Sequence, residues 1–187
     1  ITFAGGLATT GNGSNPGLVN LAGTILTTDS QMDLGAVTLT ADTELDTGTA
    51  ATSLLNVGAV TSAGFGLTLD SGNNAAADMT VASFAGGGDL TVRDSGGAVF
   101  SNTVNAGTVT LTDTTGTVAF NGNTTIGTGL TTANQTYGVS FTGASNTVAG
   151  DTNFLNTGTV TLGNQDTDSI TFAGGLATTG NGSNPGL

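Results

Sequence analysis

The chain has 187 residues, with 32 Gly, two Pro and no Cys, His or Trp, and 7 % of its residues are charged. Typical globular domains carry about a quarter. Arg93 is the single cation against 13 acidic residues, which gives a net charge of −12. Binding to nucleic acid or to an anionic lipid surface needs Lys and Arg, so the sequence excludes both. No apolar run approaches the roughly 20 residues that cross a bilayer, so we expect no membrane insertion.

The same composition removes most catalytic chemistry. Without His, Cys or Lys there is no imidazole base, thiolate nucleophile or Schiff-base amine, and the many Ser and Thr hydroxyls lack a base to activate them. Asp clusters can act on acidic polysaccharides, but such sites also need cations, and Arg93 stands alone. We therefore predict a protein that is not an enzyme and has no cofactor.

Short segments of alternating apolar and polar residues recur along the chain, bounded by Gly, Asn or Asp. This alternation predicts β-strands with one buried face, while the frequent Gly and Thr disfavour helices. The clearest segments are residues 36–40, 66–70, 89–93, 108–112 and 159–163.

A local motif precedes four of the strands: Asn or Asp, any residue, Gly, and then the alternating segment. Its glycines are Gly35, Gly58, Gly107 and Gly158, and the residue two positions earlier is Asp33, Asn56, Asn105 and Asn156 in turn. Gly after Asn or Asp suits a corner where the backbone adopts left-handed geometry. We therefore predict structural corners at these glycines and at Asn56, Asn105 and Asn156.

The spacing of the motif favours an all-β fold, a single-chain parallel β-solenoid with about seven coils of about 24 residues per repeat. An antiparallel β-sandwich is the alternative. Seven coils would span about 34 Å. Residues predicted to point inward are Ile1, Phe3, Val37, Leu39, Leu45, Val60, Leu67, Leu69, Leu90, Val92, Val109, Leu111, Val118, Phe120, Val139, Phe141, Val160, Leu162, Ile170 and Phe172.

The first eighteen residues, ITFAGGLATTGNGSNPGL, return without change as residues 170–187. Two identical segments would compete for one place in an ordinary core. We therefore interpret residues 1–169 as one complete repeat unit and residues 170–187 as the start of the next, identical unit. In this interpretation Leu187 would be followed by the residues that follow Leu18.

Two surface features invite a binding hypothesis. If Leu45 points inward, Asp42, Glu44 and Asp46 share the outer face with about 6.6 Å between neighbours, and such a row could bind Ca²⁺. A solvated acidic surface is the alternative.

Outward threonines at 38 and 40, at 108, 110 and 112, and at 159 and 161 would form flat arrays if their coils stacked in register. Such arrays raise the possibilities of glycan binding and of ice binding.

Residues 131–138 (TTANQTYG) and 170–175 (ITFAGG) resemble the repeats of filamentous-haemagglutinin-like and autotransporter-like giant bacterial surface proteins. The resemblance implies a parallel β-helix that is secreted and extended from the cell surface. The expected function is a structural segment of a long extracellular fibre built from tandem repeats. Its partners would be further copies of the repeat, in the same chain or in neighbouring fibres. An adhesin stalk with a glycan or cell-surface partner and an ice-binding solenoid are the alternatives.

Overall fold

A computed structural model describes residues 1–11 and 15–178 and contains nineteen strands and no helix in these ranges. In chain order they are β1 (Thr2–Phe3), β2 (Leu7–Ala8), β3 (Val19–Thr27), β4 (Met32–Leu34), β5 (Val37–Asp46), β6 (Leu55–Thr61), β7 (Leu67–Asp70), β8 (Asp78–Ala85), β9 (Leu90–Ser95), β10 (Gly97–Phe100), β11 (Val104–Thr114), β12 (Thr117–Phe120), β13 (Thr124–Thr132), β14 (Gly138–Phe141), β15 (Ser145–Val148), β16 (Thr152–Asn153), β17 (Val160–Leu162), β18 (Ser169–Phe172) and β19 (Leu176–Ala177).

The strands wind into a solenoid with three faces. Face 1 contains β2, β4, β10, β12, β14, β17 and the first halves of β6 and β8. Face 2 contains β15, β18, the second halves of β6 and β8, and the first halves of β3, β5, β11 and β13. Face 3 contains β1, β7, β9, β16, β19 and the second halves of β3, β5, β11 and β13. The chain visits the faces in the fixed order 1, 2, 3.

All strand pairs in the described residues are parallel, so the solenoid prediction is confirmed and the antiparallel sandwich is wrong. The structure has about eight coils of about 22 residues, shorter than the predicted 24. Partners on face 1 are 23 to 25 residues apart up to β8 and 19 to 21 residues apart beyond it. The strand pairs of face 1 keep their register, and register shifts occur in the pairs β3–β5, β7–β9 and β11–β13, so the difference in length is absorbed outside face 1.

One hydrophobic core runs along the solenoid axis. Most of the residues predicted to point inward are buried there, from Val37 to Val160. The exceptions lie in the outermost coils of the described chain: Ile1 and Phe3 are exposed, and Leu162, Ile170 and Phe172 are partly buried against the core. An interior core side chain is covered by one coil on each side, whereas these five residues have a neighbouring coil on one side alone.

Three aromatic rings stack along face 1. The ring centroids of Phe100 and Phe120 are 5.0 Å apart and those of Phe120 and Phe141 are 4.8 Å apart, each pair within 9° of parallel. These distances match the spacing between parallel strands, about 4.8 Å. Identical residues at one register position are thus held in face-to-face contact by the backbone.

The corner between face 3 and face 1 carries a buried column of hydroxyl groups instead. Its members are Thr27, Thr47, Ser71, Ser95 and Thr114, one from each of five successive coils. The hydroxyls of Thr47 and Ser71 donate to backbone carbonyls six residues later in the corner, at 2.8 and 2.6 Å. Ser95 and Thr114 bond to each other at 3.0 Å. Thr47 and Ser71 thus satisfy corner carbonyls that the sheet ladder does not reach, and Ser95 and Thr114 satisfy each other.

Replacing Phe120 by Ala removes the middle ring of the stack and leaves a cavity that the fixed coils cannot close. We expect a loss of about 3–5 kcal/mol in the free energy of unfolding, measured by urea denaturation. Phe65→Ala is the control, because that ring is exposed, and should cost about 1 kcal/mol or less. Equal losses for both variants would contradict the packing described here.

Candidate functional site

The four motif glycines do not have the left-handed backbone that the sequence predicted. Positive φ angles occur at other positions, among them Gly48, Gly72 and Gly86, whereas Gly35, Gly58, Gly107 and Gly158 are not in that region. Gly35 and Gly158 lie between strands, while Gly58 lies inside β6 and Gly107 lies inside β11 at a register shift. The left-handed part of the corner prediction is therefore wrong.

Three of the motif glycines, Gly58, Gly107 and Gly158, are needed for a different reason, which is close contact with the backbone of the preceding coil. A Cβ on Gly58 would lie 2.7 Å from the carbonyl of Gly35, and one on Gly158 would lie 2.3 Å from the carbonyl oxygen of Tyr137. At Gly107 the corresponding distance to the carbonyl oxygen of Gly87 is 2.8 Å. A side chain at these points would push two coils apart.

The motif also occurs at different corners. Gly35 and Gly58 stack on each other between faces 1 and 2, and the amide of Gly58 donates to the carbonyl of Gly35 at 3.2 Å. Gly107 lies between faces 2 and 3, and Gly158 lies between faces 3 and 1. The same local sequence thus serves all three corners, because each has a close approach between coils.

The motif asparagines also differ from one another in their burial. Asn156 is buried, and its Nδ2 donates to the carbonyl of Tyr137 at 2.8 Å. Asn56 and Asn105 instead lie on outward positions of β6 and β11. Tyr137 is itself buried, and burial raises the pKa of its phenol to about 12. Its hydroxyl donates to the carbonyl of Leu111 and accepts from the amide of Ala133, so Tyr137 fixes a corner.

The three candidate calcium ligands have separate partners. Asp42 accepts from the amide of Gly66 at 2.8 Å, and Asp46 accepts from the amide of Gly48 at 2.8 Å. Glu44 pairs with Arg93. Among residues 1–11 and 15–178, no group of three or more acidic side chains is arranged to hold a metal ion. The calcium prediction for Asp42, Glu44 and Asp46 therefore gains no support from the geometry.

The carboxylates that the fold brings together come from successive coils and not from one strand. Asp46, Asp70, Asp94 and Asp113 occupy paired positions on four successive coils of face 3, and we call this column the acidic ladder. Neighbouring strands are about 4.8 Å apart, closer than the 6.6 Å between alternate residues of one strand. The sequence signal was present, because these residues are separated by 24, 24 and 19 positions, each about one coil.

Arg93 lies beside the acidic ladder and is its counter-charge. Its guanidinium bonds to Glu44 and lies 3.5 Å from a carboxylate oxygen of Asp70. The groove beside it has a volume of about 310 Å³ and is lined by Thr24, Asp42 and Asp89 among others. Both partners of Arg93 are acidic residues of the chain, so its positive charge offsets part of the negative charge of this surface.

Burial and crowding raise the pKa of two members of the acidic ladder. The pKa of Asp70 lies above its ordinary value, mainly because burial penalises the charged form, and the charge of Asp46 adds to the shift. Burial also raises the pKa of Asp94, and the charges of Asp70 and Asp113 on the flanking coils add to it. Arg93 opposes both shifts.

The threonine rows predicted from the sequence do not stack on one another. Thr38 lies on face 2, Thr110 on face 3 and Thr161 on face 1. A different column forms on face 3, where Thr68, Thr91, Thr110 and Thr131 pair through four successive coils. This column is one residue wide, with the acidic ladder beside it.

Comparison with protein-family models, with curated proteins and with solved structures gives no match to this chain. The described residues also include no helix long and apolar enough to cross a membrane. The arguments about function therefore depend on the fold, the sequence repeat and the distribution of charge.

The close approach at Gly58 predicts that Gly58→Ala lowers the free energy of unfolding by about 1–3 kcal/mol, because two coils must separate. Gly127→Ala is the matched control, since Gly127 also lies within a strand and a Cβ there would be 3.7 Å from the nearest atom. The control should be neutral or slightly stabilising. Urea denaturation measures both, and equal effects would contradict the steric explanation.

The acidic ladder predicts a stability that depends on pH. Because the pKa of Asp94 is raised in the folded state, the folded protein takes up a proton before the unfolded chain does as the pH falls. The destabilisation that the charge of Asp94 causes therefore decreases as the pH falls through the raised pKa towards the ordinary 3.8. Asp94→Asn should stabilise the protein by roughly 0.2–1 kcal/mol at pH 7, and the gain should vanish below pH 3.8.

Thermal unfolding of Asp94→Asn across this pH range measures the effect. Asp166→Asn is the control, since it removes the same charge outside the acidic ladder. An equal gain for both variants would assign the effect to net charge and not to the ladder.

Proposed function

We propose that this chain is a structural segment of a long fibre, built from tandem copies of a 169-residue β-solenoid repeat. The observation that carries the proposal is the combination of fold and sequence: the coils stack along one axis, and the first eighteen residues return after 169 positions. Each copy adds coils to the end of the previous one. The proposed function is therefore mechanical: the segment contributes length and stiffness to the fibre.

The physical basis of the rod is the repetition of the same contacts in every coil. Backbone hydrogen bonds join each strand to the coils before and after it, and the apolar core is continuous through the described coils. In such a linear array each coil contacts its nearest neighbours, so stability is a sum of coil and interface contributions and does not limit length.

The proposed location is the outside of a bacterial cell, attached to or secreted from its surface. Support comes from the resemblance of residues 131–138 and 170–175 to the repeats of giant surface proteins. The proposed partners are further copies of the repeat, and the segment has no catalytic activity of its own. The single cation is engaged with Glu44 and Asp70, which fits a solubilising role for the charged residues.

Glycan binding and ice binding have weaker support. Ice binding by a solenoid requires a flat array more than one residue wide, and the threonine column of face 3 has the acidic ladder beside it. Glycan binding requires a polar groove with free donors, and the groove beside Arg93 has its cation paired. A glycan array and an ice-recrystallisation assay on the 187-residue chain test these alternatives directly.

Chains that contain one, two and four copies of the repeat should form rods whose length increases by about 37 Å with each copy, for between seven and eight coils at 4.8 Å. Electron microscopy and small-angle scattering measure that length. The cross-section should stay constant, because new coils extend the axis. Particles that grow in all dimensions with copy number would refute the fibre proposal, as would a compact particle of unchanged length.

A further inference from the structure

The duplicated segment forms the same two strands at both ends of the described chain. In the first copy they are Thr2–Phe3 (β1) and Leu7–Ala8 (β2). In the second copy the equivalent residues lie in β18 (Ser169–Phe172) and form β19 (Leu176–Ala177). The local sequence therefore determines which residues become strands in both places.

The two copies nevertheless lie on different faces. β1 pairs with the second half of β3, Thr2 opposite Leu26, and so belongs to face 3. β18 pairs with β15, Thr171 opposite Thr147, and so belongs to face 2. In the same way β2 is on face 1, while β19 is on face 3. Each strand of the second copy lies one face earlier than its equivalent in the first.

We infer that one 169-residue repeat makes seven and two-thirds coils, so that each following copy is rotated by one face, a third of a turn, about the fibre axis. From β1 to β18 the chain passes through 23 strand segments, when strands that cross a corner are counted once per face, and three segments make one coil. The inference rests on the proposed tandem array and specifies how its copies join.

The rotated junction leaves no gap in the sheets. If β18 and β19 serve as the β1 and β2 of the next copy, the next copy's Leu26 falls over Thr171 on face 2, and its Met32 falls over Leu176 on face 3. The remaining strand at this end is β17 on face 1. The next copy's Val19–Leu21 strand follows β2 by one segment and therefore lies directly over β17.

The apolar side chains of the duplicated segment support the same junction. Ile1 is 77 % exposed, Phe3 36 % and Leu176 43 %. In the first copy Ile1 and Phe3 have a coil on one side, and an opening of about 370 Å³ lies beside Ile1, Phe3 and Leu7. In the second copy the coil is on the opposite side, where the ring of Phe172 meets that of Phe154 at 6.2 Å. The two copies show the two halves of one buried environment.

The rotation sets where surface features recur along the fibre. The acidic ladder and Arg93 would move to another face in each copy and return to the same side after three copies. At 4.8 Å per coil this corresponds to about 37 Å per copy and about 110 Å for three. A repeat of eight whole coils would instead place every acidic ladder on one side of the rod.

Engineered disulfides test the junction, because the chain contains no Cys. Parallel neighbours are about 4.8 Å apart, within the range that a disulfide bridges. The protein is a two-copy chain, residues 1–169 followed by residues 1–187. The junction residue, Thr171 of the 187-residue chain, is Thr2 of the second copy. One variant joins it, as Thr2→Cys, to Thr147→Cys of the first copy, and the other joins it to Leu26→Cys of the second copy. We expect both pairs to lose their free thiols in most molecules under mild oxidation.

Closure of one pair and not the other would overturn the rotation, because the junction segment would then share a face with one neighbouring copy alone. The control pair is Thr38→Cys with Thr61→Cys, which are opposite each other within one copy. If the control closes and the two-copy rod is longer than the one-copy rod, failure at the junction refutes the rotation and leaves the fibre proposal standing. Failure of the control would refute the solenoid, and both proposals with it.

Discussion

The hydrogen-bonded spacing between coils is the constraint on which the rest of this structure depends. Each strand lies about 4.8 Å from its neighbours, so residues one coil apart in sequence become direct contacts whatever their chemistry. The stacked rings of Phe100, Phe120 and Phe141, the buried hydroxyl column and the acidic ladder are three results of the same constraint. The spacing between coils brings like residues together whether their contact is favourable or unfavourable. Apolar, hydroxyl and carboxylate columns therefore coexist on one solenoid.

The strands and most of the core could be predicted from the sequence, because alternation with period two depends on local residues. Val37, Leu69 and Val139 are buried as their pattern indicates. The length of each coil was harder to predict, because the corners differ in their number of residues and the motif glycines lie at three different corners. Gly58 and Gly107 are 49 residues apart, which suggests two coils of 24, yet the interval crosses two coils and one further corner.

The candidate site shows the same division between local and distant information. Asp42, Glu44 and Asp46 are neighbours along one strand, and the sequence alone directs attention to them. The fold separates their functions: Asp42 and Asp46 cap turns, and Glu44 binds Arg93 from two coils away. The acidic ladder joins residues 19 to 24 positions apart, and recognising it requires the exact length of each coil.

Arg93, described above as the counter-charge of the acidic ladder, also determines how the protein meets proteases that cut after basic residues. It offers such an enzyme a single target bond in 187 residues. That bond lies within β9, which is hydrogen-bonded to β7 on one side and to β11 on the other. Cleavage would require an extended segment to leave two neighbouring coils at once. A surface almost free of cations thus gives the solenoid resistance to trypsin-like digestion, in addition to any effect on its solubility.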